Sequence, residues 1–121
     1  MALSLHLAVS MIRMTLQLTP PLKALDKVMS AFRLLTARTR VRPGCLECRL
    51  TQNAKKATSI SFEEDWNSWE ELERYICSDA YLQILQLMEL STTVPVLHFE
   101  GAGRTCGMEF VQVLRKNRTA S

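Results

Sequence analysis

Histidine and glycine are scarce in this chain of 121 residues, which has two of the first and four of the second. No glycine-rich loop follows a strand and opens a helix, so a phosphate-cradling nucleotide site is excluded. The stretch "EGAGRTCG", Glu100 to Gly107, lacks that context. A single C-x-x-C pair, Cys45 and Cys48, has no second pair and no histidine pair to complete a zinc set. No Ser-His-Asp order or carboxylate–histidine cluster stands out. No apolar run approaches the roughly 20 residues of a membrane-spanning helix. Charge of one sign is lacking too. The 15 basic and 12 acidic residues leave a net +3, and Lys and Arg are dispersed along the chain, which argues against nucleic acid as a partner. The opening "MALSLHLAVS" is apolar but has no basic lead, and Arg13 follows it, so a signal peptide is not expected. The expectation is a cytoplasmic protein with reduced thiols.

What is present is a 47% hydrophobic composition with clear periodicity. In "MIRMTLQL", Met11 to Leu18, apolar residues alternate with polar ones as in a strand, which Pro20 and Pro21 end. Leu25, Val28, Met29, Phe32 and Leu35 fall at helical spacing, so Leu22 to about Thr39 reads as an amphipathic helix. The breaker "RPG", Arg42 to Gly44, leads into a second strand over Cys45 to Gln52. Its apolar side would be Leu46, Cys48 and Leu50. A polar loop, Asn53 to Lys56, precedes a third strand carrying Ile60, Phe62, Glu64 and Trp66 on one side. Ser68 and Glu71 form a capping box for a second helix, and Ser78-Asp79 opens another. Val94 to Gly101 reads as a fourth strand, with Pro95 suggesting an edge position. Residues 107–115 suit a strand or a helix, and a short helix is favoured.

The order β-α-β-β-α-(α)-β predicts an α+β, ferredoxin-like split βαβ fold with a four-stranded antiparallel sheet and helices on one face. Residues 1–10 are expected to be an N-terminal extension, 11–101 the domain, and 102–121 a short helix with a loose tail. The uncovered sheet face would carry Met11, Cys45 and part of "VPVLHF", and so be half apolar. Such a face predicts a homodimer through the sheets. With Cys45 to Gln52 as a strand, Cys45 and Cys48 point to opposite faces with their α-carbons about 10 Å apart, too far for a disulfide or a shared metal.

The segments "RPGCLECRL" and "SISFEEDWNSWEELERYICSDAYLQIL" resemble the antibiotic biosynthesis monooxygenase family, which includes quinol monooxygenases. The resemblance lies in the turn Pro43-Gly44-Cys45, in Glu64 and Trp66 closing the third strand, and in Ser68 with Leu72 and Ser78 with Tyr81. It covers about Met11 to Glu100. It implies a dimeric α/β barrel with a pocket between sheet and helices in each protomer. It also implies oxidation of a quinol or aromatic polyketide-like substrate by dioxygen, with no metal or flavin. Other members degrade haem through an Asn, Trp and His set. Here the first strand offers no Asn, and the other two positions hold Tyr75 and Leu85, which argues against that activity.

On this reading the catalytic candidates are Glu64 and His98, and the substrate-binding candidates are Phe62, Trp66, Tyr75 and Tyr81. A carboxylate among apolar groups has the raised ionisation a general base needs. The plainer alternative makes Glu64 a partnered structural acid, the aromatics core, and His98 structural or interface-facing. The function is then that of a non-catalytic ligand-binding or regulatory homodimer. A third reading, haem binding, would rest on His98.

Overall fold

The computed structural model describes residues 11–120, so the expected extension over residues 1–10 lies outside the described residues. Strand β1 (Ile12–Leu18) buries Ile12, Met14, Leu16 and Leu18 on one face. Pro21 leads through one 3-10 turn into helix α1 (Leu25–Thr39), whose Val28, Met29, Phe32 and Leu35 are buried. Strands β2 (Cys45–Gln52) and β3 (Ile60–Trp66) follow as a hairpin. Next come helices α2 (Trp69–Ile76) and α3 (Asp79–Met88) and strand β4 (Val96–Gly101). Strand β5 (Arg104–Cys106) and helix α4 (Met108–Ala120) close the described chain.

The sheet is antiparallel throughout and runs in the order β2-β3-β1-β4-β5. The first four strands have the predicted split-βαβ arrangement. The fifth was not predicted: it is three residues long, "RTC", and returns on β4 through Ala102 and Gly103, both at positive φ. It pairs only with Phe99–Gly101, so the first half of β4, just after Pro95, does lie at an edge. No helix among the described residues is long and apolar enough to cross a membrane.

The helix-covered face is the core. Across the strands Leu16 stands opposite Phe62 and Leu97, and Met14 opposite Glu64 and Phe99. Phe62 meets Phe32 of α1 at 5.0 Å between ring centroids. The last helix packs Phe110 edge-on against Phe99 and Trp69. The Arg115 guanidinium donates to the carbonyls of Ile76 and Ser78 at 2.8 and 3.0 Å, closing the C-terminal end of α2. Those ties hold residues 108–120 as a 13-residue helix where a short one was expected.

Two expectations need correction. The open face is polar, not half apolar. Its centre is Asp65, which accepts a two-pronged hydrogen bond from Arg13 (2.8 and 3.2 Å) and a third bond from Arg49 (3.2 Å). Arg49 also pairs with Glu47 and Glu63. Burial alone would lift the Asp65 carboxyl, but the bonds from Arg13 and Arg49 outweigh it and hold the group below its ordinary value. Second, Cys45 and Cys48 share a face. A bulge between Cys45 and Glu47 turns Leu46 outward, so Cys45 stands opposite Trp66 and Cys48 opposite Glu64. Both thiols are free. Burial, then the neighbouring Glu64 charge, pushes them up to about 11 and about 12, the opposite of a reactive dithiol. No group of three or more metal-binding side chains occurs among the described residues.

Gly44 ties the turn before β2 to the end of β3. It sits at φ +88°, and its carbonyl accepts from the Asn67 amide at 2.8 Å. A methyl group there would run into the Glu71 side chain. Gly44→Ala is therefore expected to cost about 1–3 kcal/mol, read as a lower denaturation midpoint.

Candidate functional site

The third strand places Glu64 and Trp66 on the helix-covered face, and the Ser68 cap positions α2 above them. The Ser68 hydroxyl accepts the Glu71 amide at 3.2 Å, and Glu71 in turn accepts from the Ser68 and Asn67 side chains. One and a half turns into α2, Tyr75 points back to the sheet. Its hydroxyl donates to Glu64 Oε2 at 2.7 Å, while Trp66 Nε1 donates to Oε1 at 3.1 Å. Thr39, at the end of α1, lies 3.2 Å from the Tyr75 oxygen; because the Tyr75 O–H is directed at Glu64, Thr39 is the donor. The Trp66 and Tyr75 rings stack at 4.7 Å, and Tyr81 meets Tyr75 edge-on at 5.3 Å. The Tyr81 hydroxyl donates to Met14 Sδ.

This cluster is closed. Glu64, Trp66 and Tyr81 are 0% exposed and Tyr75 1%. The main surface grooves are lined by other residues. Burial dominates the Glu64 carboxyl and pushes its pKa up to about 7, against the lowering effects of Tyr75, Trp66 and the Arg42 charge. Burial followed by the Glu64 charge raises Tyr75 and Tyr81 well above an ordinary phenol. Glu64 is thus the group whose ionisation lies near neutrality, and Tyr75 and Tyr81 are protonated phenols there.

No family model and no curated protein matches the sequence. Solved structures match by shape. A conserved protein from Methanosarcina mazei Go1 has 17% identity and a TM-score of 0.73, over 80% of this chain and 97% of that one. An antibiotic biosynthesis monooxygenase has 19% identity and a TM-score of 0.68, over 77% and 99%. SnoaB, a cofactor-independent oxygenase from Streptomyces nogalater, in a mutant form, has 19% and 0.67, over 78% and 95%. The fold is that of the antibiotic biosynthesis monooxygenases.

Within that fold the structure gathers four of the six candidate residues. Glu64, Trp66, Tyr75 and Tyr81 form one buried cluster. Phe62 shares their sheet face but packs on Phe32 in the core. His98 is on the other face: it stands opposite Thr15, its side chain is 48% exposed, and Nε2 is 3.8 Å from Glu100. Strand alternation alone separates it from Glu64. Trp69 is also elsewhere, under the Arg104 guanidinium and against Phe110.

Sequence reasoning missed Thr39 and Arg42. Arg42 lies in the turn before β2, and its guanidinium carbon sits 5.0 Å from the centre of the Tyr75 ring. Thr39 falls on the buried stripe of α1, one step beyond Leu35 and Thr36, and that spacing was the available signal. Nothing local in "TRVRPG" announces a stacking arginine, because the ring it covers is 33 residues away.

Proposed function

We propose that the protein is a cofactor-independent monooxygenase that oxidises a quinol or an aromatic polyketide-like hydroxyl compound between the sheet and the helices. The observation that carries the reading is a fully buried carboxylate, Glu64, with a pKa of about 7, already holding a phenol hydroxyl at 2.7 Å. A general base works best when its ionisation lies near the operating pH. Deprotonating a hydroxyaromatic yields an electron-rich anion that can give electrons to dioxygen. In an anthrone-type substrate one oxygen atom enters the ring as a quinone carbonyl, and in a quinol it enters as a hydroxyl on the resulting quinone. The other leaves as water with the two hydrogens the substrate loses, so no external reductant is needed. Trp66, Tyr75 and Tyr81, closed over Glu64 in the free protein, would supply the aromatic wall once the packing opens to admit the substrate.

A second reading, a non-catalytic ligand-binding dimer, is favoured by the complete mutual pairing of Glu64, Tyr75 and Trp66 and by the closed packing around them. Oxygen uptake separates the two. With a panel of quinols and anthrones, wild type is expected to consume oxygen and Glu64→Gln to lose at least tenfold in rate. No uptake with any of them leaves the second reading.

For the homodimer through the sheets, the support is charge and not apolar area. Arg13, Arg49, Glu47 and Glu63 place both signs on one face, as a two-fold interface needs. Sedimentation is expected to give a dimer that weakens as salt rises. A monomer at low salt would contradict it.

A further inference from the structure

We propose that Arg42 is the specificity-determining residue of this site: its guanidinium keeps the slot against the Tyr75 ring that a flat aromatic ligand takes, then pairs with that ligand's oxyanion. The inference rests on the reading that the site takes a hydroxylated aromatic.

Three observations carry it. Arg42 is partly exposed, whereas the Tyr75 ring beneath it is 1% exposed, so the guanidinium separates this ring from water. A guanidinium is planar and stacks on a ring face much as another ring does. Second, the Arg42 side chain has no carboxylate partner and makes no side-chain hydrogen bond among the described residues. Arg13 and Arg49, by contrast, are bound to Asp65, and Arg115 to two carbonyls. Moving Arg42 breaks one stack and no hydrogen bond, and it takes a favourable cation away from the buried Glu64, which then holds a proton more readily. Third, its backbone is held. The Arg42 amide donates to the Thr39 carbonyl at 3.0 Å, and its own carbonyl accepts from Cys45 at 3.1 Å. The side chain can swing while the turn stays in place.

The charges then balance. Before binding, the cation of Arg42 faces Glu64 through Tyr75. When a hydroxyaromatic fills the slot, Tyr75 passes its proton to Glu64 and takes the ligand's. Glu64 becomes neutral, and the new oxyanion lies beside Arg42. A neutral isostere without the hydroxyl gains the stack but not the ion pair. A charge-assisted hydrogen bond of this kind distinguishes the two by about 10- to 100-fold in affinity.

The test is titration of wild type, Arg42→Gln and Arg42→Lys with 4-nitrophenol and its methyl ether. The visible absorption of the nitrophenolate and displacement by the ether are followed, with circular dichroism verifying the fold. Wild type is expected to prefer the phenolate by about tenfold or more. Arg42→Gln is expected to lose the preference and Arg42→Lys to keep part of it. In wild type alone, raising the salt concentration is expected to shrink the preference. Equal affinity for the two probes, a preference unchanged in Arg42→Gln, or no nitrophenolate binding overturns the assignment. An Arg42-dependent preference in a protein that oxidises no quinol would retire the oxygenase reading and leave the role of Arg42 standing.

Discussion

Replacing Trp66 by alanine is expected to cost about 3–5 kcal/mol of folding stability, measured by denaturant unfolding. The ring is 0% exposed and packed between strands and helix, with Tyr75 stacked on it at 4.7 Å. Its removal leaves a cavity that neighbours on a rigid sheet cannot fill. It also strips Glu64 of one of its two side-chain donors, so the carboxyl should hold its proton to a higher pH than in wild type. Trp66→Phe keeps one six-membered ring but loses the N–H and two ring carbons, so it leaves a smaller cavity, at an expected cost of about 1–3 kcal/mol. A loss below about 1 kcal/mol for the alanine variant would contradict the packing described here.

Glu64→Gln is expected to act in the opposite direction at alkaline pH. The folded chain holds the Glu64 proton more tightly than the unfolded chain, because burial lifts its pKa from 4.5 to about 7. Its contribution to stability is fully present below pH 4.5. It falls as pH rises through about 7 and stays lost above that, a change of roughly 3 kcal/mol. Glutamine is neutral throughout. Its amide oxygen can accept from Trp66, and its amino group can donate to the Tyr75 oxygen. The variant should therefore be nearly as stable as wild type at pH 5 and more stable at pH 8, with a flatter profile. Asp65 acts with the reverse sign: its pairing with Arg13 and Arg49 stabilises above 3.8 and is lost in more acid solution, in both proteins. A wild-type profile with no decline between pH 5 and 8 would show that Glu64 ionises without cost.

Periodicity made the layers legible. Alternation in Met11 to Leu18, the helical stripe from Leu25 to Leu35 and the Ser68 cap located the core elements, and the split order of strands followed from topology rules. The site was half legible. Glu64 and Trp66 are two apart on one strand, so their common face could be read directly; Tyr75 needed only the helical phase from Leu72. His98 was drawn into the site because histidine suggests chemistry, although its odd register against Phe99 already placed it on the far face. The bulge at Leu46 could not be seen locally, since one extra residue leaves no mark in the composition of "CLECRL". It reversed the expected facing of both residues, bringing Cys45 inward and turning Leu46 outward. The polar open face was present in the sequence as Arg13, Arg49, Glu63 and Asp65. What was missing was the pairing between strands that turns separate charges into one network centred on Asp65.

The most direct test of a buried, proton-exchanging Glu64 is its own titration. Carbon-13 NMR of the glutamate side-chain carboxyls, assigned by comparison with Glu64→Gln, should show one carboxyl titrating with a midpoint near 7. A Glu64 midpoint at the ordinary 4.5 would contradict the account, leaving a solvated acid where the structure has a buried base.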